Sequence, residues 1–327
     1  MTEQKIRWGI TGTARIARDG FLPALRAAGG GAAYAVGGRD PERTRHFAAE
    51  NGVQNVRESY RAVCEDPDVD AVYVPTPNGV HAEITIMALE AGKAVLCEKP
   101  LCGNVDQTAN VLKVAHRSVR PLWEAFVFPF HDQTRQILDL LANGAIGTLM
   151  QIDSSFHFHP ESRNDVRYRP ELAGGPTQDV GCYAIRLSRL LMSSEPEMAL
   201  SKAVWAPEGV DEEMNGILGF PGNRYMVFSW SMRMPGQSFT RLLGTGGEIR
   251  LTNPYHARTT DTIEVIVGED TQTILAGSAE PTFAPCIRHI HAALRGEEEP
   301  RHLAVDEAMG NAVAIEMVFE SARRAET

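Results

Sequence analysis

The sequence predicts an α/β chain in two parts: an N-terminal doubly wound parallel sheet, then an α+β part whose sheet is mostly antiparallel. Three observations carry this reading. Short apolar strands alternate with helical segments through the first third of the chain. A turn of small residues, Gly12-Thr13-Ala14, joins the first strand to the first helix. After about Phe126 the alternation gives way to a series of strands separated by turns such as Phe220-Pro221-Gly222-Asn223 and Gly244-Thr245-Gly246-Gly247. With 327 residues, 43% of them hydrophobic, the chain can fill two ordinary cores.

In the first part, Ile6–Thr11, Ala32–Val36, Ala71–Val74, Ala94–Cys97 and Leu122–Phe128 read as strands, and Ile16–Ala28, Pro41–Asn51, Ser59–Cys64, Val80–Ala91 and Val105–Arg117 as helices. Asp40-Pro41 is a helix cap followed by proline at the first helical position, while Gly52 and Gly92 sit where helices should stop. In the second part a helix at Asp132–Ala142 precedes strands at Leu149–Phe158, Ala199–Trp205, Gly216–Phe220, Arg224–Met232, Arg241–Leu243, Glu248–Leu251 and Thr262–Val267. One long helix, about Thr177–Met192, interrupts them, and Thr282–Arg295 and Val305–Arg324 close the chain as helices. The expected division is a dinucleotide-binding domain over residues 1–125 and a substrate and oligomerisation domain over 126–327, the terminal helices being free to return to the first.

Charge and cysteine usage narrow the class. A formal net charge of −10 with no Lys/Arg stripe disfavours nucleic acid and anionic membranes as partners. No apolar run approaches the ~20 residues of a transmembrane helix. Met1-Thr2-Glu3-Gln4-Lys5 lacks the apolar core of a signal peptide. Cys64, Cys97, Cys102, Cys182 and Cys286 form an odd, scattered set, expected to be reduced thiols in a cytoplasmic protein.

Gly12-Thr13-Ala14-Arg15-Ile16-Ala17 keeps the spacing of the glycine-rich dinucleotide turn, with alanine at its second and third positions. The first glycine permits the tight turn, a small second residue lets a pyrophosphate approach, and the helix start offers N–H groups and partial positive charge. Such a turn can also be only packing, but its place in an N-terminal strand–helix–strand unit points to a dinucleotide. An NAD enzyme usually carries an acid at the end of the second strand. Here Val36-Gly37-Gly38 leads to Arg39, with Arg43 a turn later, a pair suited to a 2′-phosphate, and the two glycines leave room for it. Asp40 is already explained as a cap. NADP is therefore the expected cofactor, with NAD the lesser alternative.

Two further strand ends face the same region. Val74-Pro75-Thr76-Pro77-Asn78-Gly79-Val80-His81 is stiffened by prolines; Asn78 can cap the next helix, and His81 reads as a ligand contact or cap. Val95-Leu96-Cys97-Glu98-Lys99-Pro100 brings a lysine to a strand end, where it can orient a substrate or stabilise an acid–base neighbour. Glu98 suits ribose or backbone, and Pro100 a rigid turn. His157-x-His159 has metal-compatible spacing but no third ligand, so no metal is expected. In Gly174-Gly175-Pro176-Thr177-Gln178-Asp179-Val180-Gly181-Cys182-Tyr183, Asp179 and Tyr183 share one helical face. By themselves they read as a dipole partner and a core residue.

Gly12-x-Ala14-x-x-Ala17, Thr76-Pro77-Asn78-x-x-His81, Glu98-Lys99-Pro100 and Gly174-Gly175-Pro176-x-x-Asp179-x-Gly181-x-Tyr183 occur in this order. Together they resemble the glucose–fructose oxidoreductase/inositol dehydrogenase/rhizopine-catabolism (Gfo/Idh/MocA) family over nearly the whole chain. Tyrosine at 183, where inositol dehydrogenases carry histidine, suggests the branch of dihydrodiol dehydrogenases, xylose dehydrogenases and sugar ketoreductases. The resemblance implies a Rossmann nicotinamide domain, an open-faced second sheet and homodimers or homotetramers built through that sheet. It implies oxidoreduction of a sugar-like or diol CH–OH group, with Tyr183 exchanging the proton, Lys99 as its cationic partner and Asp179 orienting the substrate. Gly12, Thr13, Ala14, Arg15, Ile16, Arg39, Arg43, Thr76, Pro77, Asn78, His81, Glu98 and Lys99 are then candidate cofactor contacts. Lys99, Arg167, Asp179 and Tyr183 are candidate substrate contacts, Arg167 from a loop, 163–169, that either touches substrate or is a charged surface loop. Glu124-Ala125-Phe126-Val127-Phe128-Pro129-Phe130-His131 departs from the branch, with proline where an arginine usually stands. A non-catalytic NADP sensor and a lyase or glycosidase with tightly held nicotinamide are the competing functions.

Overall fold

The computed structural model of the chain describes residues 5–325. They form two compact units. The first takes the described residues up to Val127 together with Glu280–Met309; the second takes Phe128–Ala279 and the described residues from Gly310 onward.

In the first unit, β1 (Ile6–Thr11), β2 (Gly31–Gly37), β3 (Asn55–Arg57), β4 (Ala71–Val74), β5 (Ala94–Cys97) and β6 (Leu122–Glu124) pair in parallel in the order β3-β2-β1-β4-β5-β6. That is the Rossmann order, which reverses between β1 and β4, and ligands bind at the carboxyl ends of the strands beside such a reversal. β4 and β5 are buried along their whole length because both faces are covered, so they read as unbroken apolar runs. The crossovers are α1 (Leu22–Ala28), α2 (Pro41–Asn51), α3 (Tyr60–Cys64), α4 (His81–Glu90) and α5 (Val105–Ala115). The punctuation acts as predicted at α2: Asp40 accepts the Glu42 and Arg43 N–H groups at 3.0 and 3.1 Å, and Gly52 closes the helix in the left-handed conformation.

Three predicted details differ. The first helix opens with a wide π-helical turn, Ala17–Phe21, ahead of α1. β3 has no counterpart in the prediction because a polar edge strand of three residues leaves no apolar pattern. β6 stops at Glu124 instead of Phe128, since Phe128–Phe130 around Pro129 coils into a 3₁₀ turn.

The second unit is an eight-stranded sheet: β7 (Leu149–His157), β8 (Met198–Trp205), β9 (Asp211–Phe220), β10 (Arg224–Ser231), β11 (Gln237–Gly244), β12 (Glu248–Leu251), β13 (Thr262–Val267) and β14 (Asp270–Leu275). The order is β14-β13-β12-β11-β7-β10-β9-β8, antiparallel except where β7 and β10 pair in parallel. Alternation separates its faces. Met226, Phe228 and Trp230 of β10 point inward with Ile152 and Ser154 of β7, toward α7 (Cys182–Met192). Tyr225 and Val227, with Met198, Leu200 and Val204 of β8, are exposed on the opposite face. β14 is mostly exposed and polar, so it too escaped prediction. α6 (Asp132–Ala142) falls where the sequence puts it.

Two helices end the chain, α8 (Ala284–Arg295) and α9 (Ala304–Arg324). α8 is locked into the first unit by His291, whose Nδ1 donates to the Gly29 carbonyl and whose Nε2 accepts the Trp8 indole N–H, both at 2.9 Å. Among the described residues, no helix is long and apolar enough to cross a membrane. The five cysteines are buried, and no disulfide joins them.

Candidate active site

The cradle at the end of β1 starts from backbone. Gly12 has φ of 110°, a conformation only glycine adopts freely, and its N–H donates to the Gly37 carbonyl at 2.7 Å. The first backbone bond of the following helix runs from the Ala17 N–H to the Ala14 carbonyl, so the N–H groups of Thr13, Ala14, Arg15 and Ile16 precede the helical ladder. Arg15 and Ile16 are exposed. Across the strand reversal, Thr76 at the end of β4 is buried, and its Oγ1 has no hydrogen-bond partner among the described residues. A glycine turn, unladdered N–H groups and an orphaned hydroxyl are what a dinucleotide phosphate requires, so the residues present fit the group.

Arg39 is exposed just past β2. Arg43 reaches back to the cradle, its Nη2 3.4 Å from the Thr13 carbonyl. The predicted role of Gly37 needs correction: a Cβ there would lie 2.4 Å from the Ser59 carbonyl, so this glycine makes room for α3 and not for a ligand.

The ends of β4 and β5 are held to each other by side chains. His81 is fully buried, with Nε2 2.6 Å from the Thr76 carbonyl and Nδ1 2.9 Å from that of Pro100. Burial pulls its pKa down to about 4, against the two carbonyls. A neutral ring donates to only one of them. His81 was expected to touch a ligand or cap a helix; instead it ties together the two loops that carry the candidate contacts. Asn78 is not the cap of α4 either. It opens a 3₁₀ turn, Asn78–Val80, which moves the helix start to His81 with Val80 in the cap position. Pro77 is half-buried at the head of that turn.

Glu98 is buried, and its Oε1 accepts the Tyr73 hydroxyl at 2.7 Å. The peptide Lys99–Pro100 is cis. Glu124, at the end of β6, accepts the Leu101 N–H at 2.7 Å and so holds the next residue of the loop. Lys99 itself is half-buried. Tyr73 and Glu124 are the parts of this loop that motif reading missed. A carboxylate closing an apolar strand, Leu122-Trp123-Glu124, was the available signal.

In the second unit, a wide turn, Thr177–Gly181, leads into α7 and carries Asp179 just ahead of Tyr183. Tyr183 is 7% exposed and walled by aromatic rings: Tyr255 at 5.2 Å between centroids, His256 at 5.4 Å, Phe156 at 6.2 Å and Phe128 at 6.4 Å. Tyr255 is fully buried with its hydroxyl 2.9 Å from Ser154 Oγ, and burial pushes its pKa up to about 12. Tyr255 is a neutral prop. Arg167 Nε donates to Asp179 Oδ2 at 2.5 Å, so these two predicted substrate contacts are brought together. Burial works against the Arg167 charge, but Asp179 and Asp165 outweigh it and raise its pKa. His157 Nε2 lies 3.0 Å from Ser229 Oγ and His159 Nδ1 3.1 Å from the Met232 carbonyl. No group of three possible metal ligands is found among the described residues.

Strand order and cradle together define a dinucleotide-binding domain, and known proteins identify it as that of an oxidoreductase. Residues 6–126 match the family described as "Oxidoreductase family, NAD-binding Rossmann fold", and residues 134–250 match the "GFO/IDH/MocA C-terminal domain". The chain belongs to the Gfo/Idh/MocA oxidoreductase family. It is 32% identical to D-xylose 1-dehydrogenase (NADP(+)) 2 of Haloferax volcanii, over 96% of this chain and 97% of that one. It is 31% identical to trans-1,2-dihydrobenzene-1,2-diol dehydrogenase of Xenopus laevis, over 84% and 83%. The crystal structure of a 3-ketoreductase from Actinomadura kijaniata in complex with NADP and TDP-benzene superposes with a TM-score of 0.90 at 29% identity, covering 97% of this chain and 98% of that one. The same ketoreductase has been solved with a tyrosine changed to phenylalanine and with a lysine changed to alanine.

Proposed function

We propose that the protein is an NADP-dependent oxidoreductase acting between the carbonyl and alcohol forms of a sugar-like or diol substrate. The first unit holds the cofactor and carries Lys99; the second carries the other substrate contacts and a self-association face. The observation that carries this reading is the aromatic-walled Tyr183 beside Asp179, in a chain whose other unit has a dinucleotide cradle and a strand-end lysine. The relative named for NADP, and a solved NADP complex of a ketoreductase, support the cofactor, as do Arg39 just past β2 and Arg43 in the first turn of α2.

Reduced nicotinamide supplies the hydride to the carbonyl carbon. The chain's own part is the proton. Tyr183 gives it to the carbonyl oxygen, leaving an alcohol and a phenolate that is reprotonated from solvent; the oxidative direction runs the same steps backward. A phenol of pKa ~10 must lose about 3 units to work near neutrality, or about 4 kcal/mol. A close ammonium provides stabilisation of that size, and this is the role the reading gives to Lys99. Asp179, held by Arg167, orients a substrate hydroxyl. Arg15, Ile16 and Pro77 line the cofactor and Glu98 holds the Lys99 loop.

The test is a panel of aldoses, keto-sugars and diols with NADPH and NADP⁺, followed at the nicotinamide absorbance band. Substrate-dependent turnover that falls about 100-fold in Tyr183→Phe and in Lys99→Met, with cofactor binding intact, supports the reading. Undiminished turnover in either variant removes that residue from the mechanism. No absorbance change with any substrate favours a sensor.

A further inference from the structure

Asp211, the first residue of β9, is 1% exposed. Its Oδ2 accepts both the Thr177 N–H at 3.0 Å and the Thr177 hydroxyl at 2.5 Å. That hydroxyl in turn accepts the Trp230 indole N–H at 2.7 Å. Asp211 Oδ1 has no partner among the described residues, and a Cβ on Gly175 would meet it at 1.9 Å. Gly175, at φ of 94°, therefore has two reasons to be glycine: its backbone conformation and the carboxylate pressed against it. Thr177 begins the wide turn that carries Asp179 and ends where α7 presents Tyr183. A single buried carboxylate thus fixes the start of the segment that bears both candidate catalytic groups.

We propose that Asp211 is a positioning residue, whose ionised carboxylate anchors Thr177 and so sets where Asp179 and Tyr183 stand. This deepens the proposed function and rests on it for its effect on turnover. Charge-assisted hydrogen bonds are roughly twice as strong as neutral ones. Proton uptake at the unpartnered Oδ1 leaves both Thr177 bonds in place but turns them into neutral bonds, so the anchor loosens. Burial raises the Asp211 pKa to about 6, and the two Thr177 bonds oppose the rise. The neighbouring charged groups are occupied elsewhere: Glu212 with Arg163, Glu213 with Arg233 and Asp179 with Arg167. Trp205, opposite Asp211 on β8, is uncharged.

Two measurements test the anchor. The indole N–H resonance of Trp230, in the holoenzyme, should titrate in the wild type with a midpoint close to the Asp211 value of about 6 and stay flat in Asp211→Asn. Turnover in the wild type should fall on acidification through the same midpoint. Asp211→Asn, fixed in the neutral state, should show no such limb and a kcat lowered about tenfold or more at neutral pH, with cofactor affinity unchanged. If Asp211→Asn does not fold, Thr177→Val should abolish the Trp230 titration and Thr177→Ser should retain it. A Trp230 signal indifferent to pH in the wild type, or an acid limb that survives in Asp211→Asn, overturns the proposal. Full turnover in Tyr183→Phe would instead overturn the functional reading and leave the Trp230 titration standing.

Discussion

Arg167 donates from Nε to Asp179 Oδ2 at 2.5 Å and from Nη1 to both oxygens of Asp165 at 3.1 Å. Its guanidinium also lies 5.2 Å from the centroid of the Phe158 ring. Asp165 in turn caps the short turn Val166–Tyr168 that presents Arg167. The loop 163–169 is thus a bracket whose far end steers the Asp179 carboxylate. Arg167→Met should remove that tie to Asp179 and lower kcat/KM about 10- to 100-fold with NADP affinity unchanged. Arg167→Lys should recover only part of the loss, since lysine offers a point charge and no planar fork. Unaltered kcat/KM in Arg167→Met would reduce the pair to a surface contact.

Cofactor choice rests on Arg39 and Arg43. Asp40 accepts two N–H bonds on one oxygen as the α2 cap, so the nearest acid serves the helix. Arg39 carries no such duty. Arg39→Ser should weaken NADP binding by about 10- to 100-fold, the size of a charge-assisted bond to phosphate, and leave NAD binding nearly unchanged. Arg43→Ala should cost less, because part of its reach is spent on the Thr13 carbonyl. Isothermal titration with each dinucleotide reads both; equal losses for NADP and NAD would dismiss the 2′-phosphate assignment.

The strands and caps of the first unit were legible because local chemistry decides them. Apolar runs buried on both faces are unmistakable at β4 and β5, and Asp40-Pro41 states its own geometry. His81 was misread for a physical reason: its partners are the Thr76 and Pro100 carbonyls, and the second of these comes from the next strand's loop. The same reason hides Asp211. Its neighbours Val210 and Glu212 offer no motif, and its partner Thr177 lies 34 residues earlier. Asp179 and Tyr183 were visible as a pair on one helix face, yet the rings around Tyr183 come from β7, the turn Phe128–Phe130 and the segment holding Tyr255 and His256. Such convergence is a property of tertiary structure, and no spacing along the chain encodes it.

The outer face of the second sheet presents Leu200, 60% exposed, together with Met198, Val204, Tyr225 and Val227. Met198 and Tyr225 both pair with Gly219, and Leu200 and Val227 both pair with Ile217, so they form two apolar rows across β8, β9 and β10. A contiguous patch of this kind marks an association surface. The protein should run as a homo-oligomer in light scattering. Leu200→Asp with Val227→Lys should shift it toward monomer with little loss of secondary structure, because neither side chain contributes to the core. A monomeric wild type would assign the patch to another partner.

Acid sensitivity should arise in the first unit, at His291. Its Nε2 must stay unprotonated to accept the Trp8 N–H, and burial pulls its pKa from 6.5 down to about 4. The unfolded chain therefore takes up a proton near pH 6.5 that the folded chain refuses until about pH 4. Stability supplied by the neutral ring is complete above the unfolded value and is lost as pH falls through that window. Between about pH 7.5 and about pH 5 the loss from this residue alone should be about 2 kcal/mol. Urea unfolding of the wild type and His291→Leu at both pH values isolates it. The variant starts less stable, with the Trp8 N–H orphaned, but its further loss on acidification should be smaller by about 2 kcal/mol. Equal losses in the two proteins would mean that another group governs the acid limb, with His81, also shifted down to about 4, the next to test.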